Sequence, residues 1–135
     1  MRVVVLAPTY NEKGSIKKVV ELILSQNGKI EGFEIHVLVV DSHSQDGTAQ
    51  IAKRLTKDNP RVHFLDIKER GLGLAIIEGY KYALENLDPD ILMQIDADLQ
   101  HDPNEIPKFL RKINEGFDYV QGSRIIKGGE NNISP

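Results

Sequence analysis

The chain has 135 residues, of which 40% are hydrophobic and 27% charged, and its formal net charge is −3. A chain of this length forms about one domain and buries roughly two thirds of the surface that it exposes when unfolded. The near-average composition argues against a disordered or fibrous protein, and the slightly acidic charge argues against nucleic acid as a partner.

Cysteine and long apolar runs are both absent. Without cysteine, disulfides and thiolate metal sites are excluded, although the compartment stays open. No window contains the about 18 apolar residues of a membrane span, and the first apolar run, Val3 to Ala7, is too short for a signal peptide. We therefore expect a cytoplasmic protein.

The first half of the chain contains two strand-helix units. The continuous apolar run Val3 to Ala7 predicts a strand covered on both faces, and the run Ile35 to Val40 predicts a second. Each is followed by apolar residues at helical spacing. In the first helix these are Ile16, Val19, Val20, Ile23 and Leu24, and in the second they are Ile51, Ala52 and Leu55. The turn Asp46-Gly47-Thr48 suits the start of the second helix, with Asp46 as its cap.

The second half repeats this pattern. Strands are predicted at Val62 to Ile67, Ile91 to Ile95 and about Tyr119 to Gln121. An apolar stripe marks the third helix, and Asp102 followed by Pro103 and Glu105 marks the start of a fourth. The stripe comprises Ile76, Tyr80, Ala83, Leu84 and Leu87, and the buried face of the fourth helix comprises Ile106, Phe109, Leu110 and Ile113.

This alternation predicts an α/β fold, a mostly parallel sheet with helices on both faces, because parallel strands need crossover connections. Residues 1–135 are expected to form one domain. After Arg124 the segment Ile125 to Pro135 shows no clear period, which indicates either a frayed terminus or the cut edge of a longer domain. Ligands of such sheets bind at the carboxyl ends of the strands, so the loops there are the place to look for chemistry.

Two aspartates, Asp96 and Asp98, directly follow the fourth strand. Their carboxylates, with the amide oxygen of Gln100, suit a hard divalent cation whose remaining ligands are water and substrate phosphates. Aspartates at such a position can also do no more than end the strand. Because Asp102 already caps the next helix, however, Asp96 and Asp98 are not needed for that role. This favours the interpretation that they bind a metal.

Two other strand ends carry weaker signals. Asp41 could accept a hydrogen bond from a nucleobase, but turn chemistry explains it equally well. Arg70 precedes Gly71 and Gly73 at a helix start, where an anion is favoured, yet a glycine-rich turn with a solvated arginine is the preferred interpretation. Among the histidines, His36 and His63 fall within strands and are expected to be partly buried and structural.

Together these motifs occur in an order that resembles the inverting GT-A glycosyltransferases, most closely the polyprenol-phosphate (dolichol-phosphate) mannosyltransferases. The resemblance covers nearly the whole chain, and its most specific part is the run Asp96 to His101. The other motifs are Pro8-Thr9-Tyr10-Asn11-Glu12, Val40-Asp41, Asp46-Gly47-Thr48, Gly71-Leu72-Gly73 and Gly122-Ser123-Arg124.

The resemblance implies a hexosyltransferase that uses Mg²⁺ or Mn²⁺ to move sugar, with inversion, from a nucleotide-diphosphate sugar such as GDP-mannose or UDP-glucose to a polyprenyl (dolichyl) phosphate. Such an acceptor would bring the protein to the membrane surface as a peripheral protein, and a homo-oligomer stays possible. The implied nucleotide-sugar contacts are Pro8, Tyr10, Glu12, Asp41, Gly71, Gly73 and Asp96. The implied metal ligands are Asp96, Asp98 and Gln100, and the implied catalytic residues are Asp98 and Arg124, the latter facing phosphate.

Two other functions are weighed against this one. A sugar-phosphate nucleotidylyltransferase would carry a glycine-rich basic loop after the first strand, and Pro8 to Glu12 is neither glycine-rich nor basic. A non-catalytic nucleotide-sugar-binding module is the stronger alternative, because the acceptor half that the family carries after Gly-Ser-Arg is not found in residues 1–135. This length is accordingly expected to be catalytically incomplete.

Overall fold

The structure is a computed structural model that describes residues 1–98, 102–115, 119–121 and 124–126, the last two ranges as backbone only. Strands and helices alternate along most of this length, as the sequence predicts. In chain order they are β1 (Arg2–Thr9), α1 (Ile16–Leu24), β2 (Glu34–Asp41), α2 (Thr48–Asp58), β3 (Val62–Asp66), α3 (Leu72–Asn86), β4 (Ile91–Gln94), α4 (Ile106–Asn114), β5 (Tyr119–Gln121) and β6 (Arg124–Ile126).

The main sheet has four parallel strands in the order β3-β2-β1-β4. Its two central strands pair along their whole length, from Arg2 opposite Glu34 to Thr9 opposite Asp41. Every residue from Val3 to Thr9 is buried, as expected for a strand with helices on both faces. The predicted parallel α/β sheet is confirmed.

Helices cover both faces of this sheet. On one face, alternate β1 residues such as Val3 and Val5 pack with residues of α1, α2 and α4. On the other face, Val4 and Leu6 pack with α3. The alternation of side chains along a strand thus divides the core into two layers on opposite sides of the sheet.

Helix α3 contacts the sheet through small residues, of which the predicted stripe included Ala83 but not Ala75 or Gly79. Ala75, Gly79 and Ala83 are buried at four-residue spacing, whereas Leu84, predicted to face the core, is 63% exposed. A β-carbon added at Gly79 would lie 2.8 Å from Val40 Cγ2 and 2.9 Å from Leu6 Cδ1. The close approach of helix to sheet therefore selects the smallest side chains and turns Leu84 outward.

The fourth helix begins later than its cap suggests. Asp102 is the cap, as predicted, because its Oδ1 accepts the backbone N–H of Asn104 at 2.9 Å. A 3-10 turn, Pro103–Glu105, comes first, and α-helical structure starts at Ile106. Pro107 has no N–H to donate to the carbonyl of Pro103, which accepts from Ile106 instead. A second proline thus explains the delayed start.

The last described strands form a separate sheet. Strand β5 lies where predicted but pairs antiparallel with β6, from Tyr119 opposite Ile126 to Gln121 opposite Arg124. The sequence after Arg124 shows no clear period, and the structure places its first two residues, Ile125 and Ile126, in β6. Antiparallel pairing supplies backbone hydrogen bonds without needing an apolar period in the sequence.

No helix in the described part of the chain is long and apolar enough to cross a membrane.

Candidate functional site

A cleft of about 190 Å³ opens at the carboxyl ends of β1, β2 and β4 and beside the start of α3. Loops from distant parts of the sequence meet here because the strands are parallel and end at the same edge of the sheet. The described residues that line it are Pro8, Thr9, Tyr10, Glu12, Ser42, Arg70, Gly71, Leu72, Ala75, Asp96, Ala97 and Asp98.

Most of the site residues expected from the sequence lie at this cleft. Pro8, Tyr10, Glu12, Gly71, Asp96 and Asp98 are among the lining residues, and Asp41 and Gly73 are not. Gln100 lies outside the described residues, and Arg124 is described only by its backbone in β6. The sheet edge thus brings together predicted site residues that lie at or after the ends of β1, β3 and β4.

Carboxylates gather at one side of the cleft. Burial raises the pKa of Glu12 most. The negative charges of Asp98, Asp46 and Asp96 raise it further, and Asp98 has the largest effect of the three. Such mutual repulsion is what a bound cation relieves. This side of the cleft is therefore electrostatically suited to a divalent cation.

The donor chemistry also fits a cation of the Mg²⁺ type. Asp96 is half-buried and Asp98 exposed, so two hard oxygen ligands lie at the end of β4. In the ranges that the structure describes, no three acidic or histidine side chains form a ready-made ligand set. Mg²⁺ commonly takes only one or two carboxylates, with water and substrate phosphates completing its shell. Asp96 and Asp98 would supply such a partial shell.

Ser15 supports the cleft through a contact that the sequence pattern did not predict. Its hydroxyl donates a hydrogen bond to the backbone carbonyl of Ala97, between the two aspartates. This contact ties the start of α1 to the loop after β4. A lone serine before a helix normally indicates a cap, so its sequence position carries no signal of this longer-range contact.

Arg70 supplies positive charge at the cleft. Its Nη1 donates a hydrogen bond to the hydroxyl of Tyr10 at 2.8 Å, and its guanidinium carbon lies 4.9 Å from the centre of the Tyr10 ring. Of the described lining residues, Arg70 alone is cationic. The preferred sequence interpretation, a solvated arginine in a glycine-rich turn, missed this contact because 60 residues separate the two side chains.

Asp41 lies buried at the end of β2 instead of lining the cleft. Its Oδ1 accepts hydrogen bonds from the hydroxyls of Thr9 and Ser44 at 2.7 and 2.6 Å, and its Oδ2 accepts the N–H of Ser44 at 2.9 Å. The residue has no solvent exposure. A nucleobase could reach this carboxylate only if the protein groups around it moved.

A family model provides the first comparison with known proteins. The model described as "Glycosyl transferase family 2" matches residues 4–135. This chain belongs to glycosyl transferase family 2. The predicted resemblance to GT-A glycosyltransferases is confirmed, and the cleft at the strand ends is the candidate donor site of a family 2 domain.

Two curated relatives of this family 2 chain are named as lipid-phosphate mannosyltransferases. This chain is 38% identical over 130 residues to the dolichol-phosphate mannosyltransferase of Pyrococcus furiosus. The match covers 96% of this chain and 35% of the relative. The chain is 37% identical over 133 residues to the undecaprenyl-phosphate mannosyltransferase of Micrococcus luteus, covering 96% and 51%. The chain thus spans between about a third and a half of the length of these relatives.

Solved structures confirm the GT-A fold. The S. aureus protein TarS, in complex with UDP, superposes with a TM-score of 0.66 at 21% identity, over 86% of this chain and 33% of that one. The mannosyltransferase PcManGT from Pyrobaculum calidifontis, in complex with GDP-Man and Mn²⁺, superposes with a TM-score of 0.56 at 29% identity, over 71% and 27%.

Proposed function

We propose that this family 2 domain binds GDP-mannose with a divalent cation and belongs to an enzyme that transfers the mannose, with inversion, to a polyprenyl phosphate. The observation that carries the proposal is the charge distribution of the cleft. Asp96, Asp98 and Glu12 concentrate negative charge, while Arg70 supplies a positive charge. A nucleotide diphosphate with a bound cation matches both charges, because the cation would bind the carboxylates and the diphosphate would lie near Arg70.

The relatives support the choice of sugar and acceptor. Those from Pyrococcus and Micrococcus both carry the name mannosyltransferase, with dolichol phosphate and undecaprenyl phosphate as named acceptors. The mannosyltransferase structure with GDP-Man and Mn²⁺ supports the donor and the metal. The transferase names also favour an enzyme over a module that only binds nucleotide sugar.

We assign the donor contacts as follows. Asp96, Asp98 and Gln100 would hold Mg²⁺ or Mn²⁺ at the diphosphate, where the ion would neutralise charge on the leaving group. Pro8, Tyr10 and Glu12 would contact the nucleoside, and Gly71 and Gly73 would let the diphosphate approach the backbone at the start of α3. Asp41, which the resemblance also implies for this pocket, would support it from a buried position at the end of β2.

The acceptor side requires little from the protein in acid-base chemistry. A lipid phosphate is ionised at neutral pH and can attack the anomeric carbon from the face opposite the diphosphate without a strong general base. Arg124 would orient that phosphate. The rate would then depend on holding the two reactants in line, because correct positioning removes much of the entropic barrier.

Calorimetry tests the donor assignment. The 135-residue protein is titrated with GDP-mannose, UDP-glucose, GDP and UDP, each with and without Mn²⁺. We expect binding of GDP-mannose in Mn²⁺ and a large loss of affinity when the ion is chelated. Absence of binding under every condition, by protein shown to be folded, contradicts the proposal.

A transfer assay separates the enzyme from the binding module. Radiolabelled GDP-mannose is incubated with the protein, Mn²⁺ and a short polyprenyl phosphate, and the organic phase is counted. Label in the organic phase that depends on Mn²⁺ supports transfer. Donor binding without any labelled lipid supports the binding module instead.

A further inference from the structure

The loop after β2 holds the loop after β1 through three successive backbone amides. The N–H of Asn11 donates to the hydroxyl of Ser44 at 2.8 Å, that of Glu12 to the hydroxyl of Thr48 at 3.0 Å, and that of Lys13 to Oδ2 of Asp46 at 3.1 Å. All three acceptors are side chains of residues 44–48. Consecutive amides of the loop after β1 are thus bound by side chains of the loop after β2 and of the first residue of α2.

Ser44 connects this contact to the buried end of the sheet. Its hydroxyl accepts from Asn11 and donates to Oδ1 of Asp41 at 2.6 Å, and the same carboxylate oxygen accepts from Thr9 at 2.7 Å. Asp41 is fully buried and Thr9 is 3% exposed. The series Asp41–Ser44–Asn11 therefore links an exposed loop residue to a rigid anchor between the two central strands.

The linked residue has an uncommon backbone conformation. Asn11 has a φ of 54°, in the left-handed region that asparagine tolerates better than most residues. Its Oδ1 also accepts the N–H of Gln45 at 3.1 Å. The two loops hold Asn11 from both its backbone and its side chain. Because Tyr10 and Glu12 flank Asn11 and both line the cleft, their positions depend on this conformation.

We infer that Asp41 and Ser44 are positioning residues, which act on the donor by fixing Asn11 and thereby placing Tyr10 and Glu12, and that the Asp41 carboxylate does not itself bind the base. The inference rests on the proposed donor site. It deepens that proposal by giving the buried carboxylate a role that agrees with its three protein hydrogen bonds.

The first experiment measures, without any ligand, how well the loop after β1 is ordered. Amide hydrogen exchange of Asn11, Glu12 and Lys13 is followed by NMR in wild-type protein and in Ser44→Ala. We expect these amides to exchange at least about fivefold faster in the variant, as for the loss of one hydrogen bond, while amides of the central strands stay unchanged. Ser44→Thr, which keeps the hydroxyl, should restore slow exchange.

Two further variants guard against a general effect of substitution. Asn11→Ala leaves the Asp41 contacts in place but removes the side-chain acceptor and disfavours the left-handed backbone, so it should loosen the same amides even if Ser44→Ala folds poorly. Ser25→Ala is the matched control, since the Ser25 hydroxyl donates to the carbonyl of Leu22 at an exposed site, and it should leave residues 11–13 unchanged. Unchanged exchange in both Ser44→Ala and Asn11→Ala overturns the inference.

The second experiment measures nucleotide binding. We expect Ser44→Ala to raise the Kd of GDP about five- to tenfold, with recovery in Ser44→Thr. Asp41→Asn should weaken GDP and UDP by the same factor, because positioning affects every nucleotide. A change in the ratio of the two affinities would show that Asp41 contacts the base. If wild-type protein binds no nucleotide, the proposed function fails, while the exchange measurement still decides whether the link exists.

Discussion

Arg70 and Tyr10 are joined by a hydrogen bond of 2.8 Å and by a cation–π contact in which the guanidinium carbon lies 4.9 Å from the ring centre. The pair connects the loop after β3 to the loop after β1. It therefore places a positive charge beside the cleft in a defined position, although both side chains are exposed to solvent.

Arg70→Gln should weaken GDP binding about five- to tenfold while affecting guanosine little, because the lost charge acts on phosphate. Wild-type affinity should fall with added salt more steeply than that of the variant. Titrations at two salt concentrations check both points. Arg54→Gln, on the exposed side of α2, is the control, and an equal loss there would show that net charge alone is responsible.

Asp98→Asn should abolish the effect of Mn²⁺ on GDP-mannose binding, because it removes one of the few charged oxygens at the end of β4. Calorimetry in Mn²⁺ and in chelator measures this effect. Asp58→Asn, at the exposed end of α2, carries the same charge change and should bind as wild type does. Equal cation dependence in Asp98→Asn and wild type would remove Asp98 from the ligand set.

Asp102→Ala should lower the free energy of unfolding by about 0.5–2 kcal/mol, the usual effect of losing a helix cap. Urea denaturation measures it. Asp102→Ser keeps a capping oxygen and should retain most of the stability. Nucleotide affinity should be unchanged in both, and a loss of affinity without a loss of stability would mean that Asp102, and not Asp98, serves the ligand.

Gly79→Ala should destabilise the protein by about 1–3 kcal/mol, because the added methyl group overlaps Leu6 and Val40. Gly73→Ala, in the same helix, meets nothing within 4 Å and should be neutral or stabilising by up to about 1 kcal/mol. Thermal or urea unfolding of the two variants gives the comparison. Similar stability in both would show that α3 does not approach the sheet this closely.

Protonation of His63 should lower the free energy of unfolding as the pH drops below about 6.5, the ordinary histidine pKa. Burial lowers its pKa in the folded protein, and the positive charges of His36 and Arg2 lower it further. The unfolded chain therefore binds more protons between the two pKa values, so the free energy of unfolding decreases with acidity there.

Urea unfolding between pH 5.5 and 7.5 tests this dependence. His63→Gln should flatten the slope. Glu34 does not interfere, because its pKa is lowered by the hydrogen bond to His36, so any stability it contributes is lost only at pH values below the ordinary glutamate range. An unchanged slope in His63→Gln would contradict the assignment.

Local pattern was enough to predict the framework of the fold. The buried runs of β1 and β2 and the helical spacing of Ile16, Val19 and Ile23 arise from contacts that repeat along the chain, so they appear in the sequence itself. The cap at Asp102 is equally local. The buried face of helix α3 was harder to predict. Whether Leu84 faces outward and Gly79 inward depends on how closely the helix approaches the sheet.

The candidate site divides in the same way. By itself the sequence determined that Asp96 and Asp98 follow an apolar strand of a parallel sheet, and this placed them at the carboxyl edge of that sheet. Only the tertiary structure decided that Arg70 pairs with Tyr10 and that Asp41 is enclosed by Thr9 and Ser44. These contacts join side chains from different loops, whose separation depends on the crossing of whole helices and strands, and no periodicity along the chain encodes that distance.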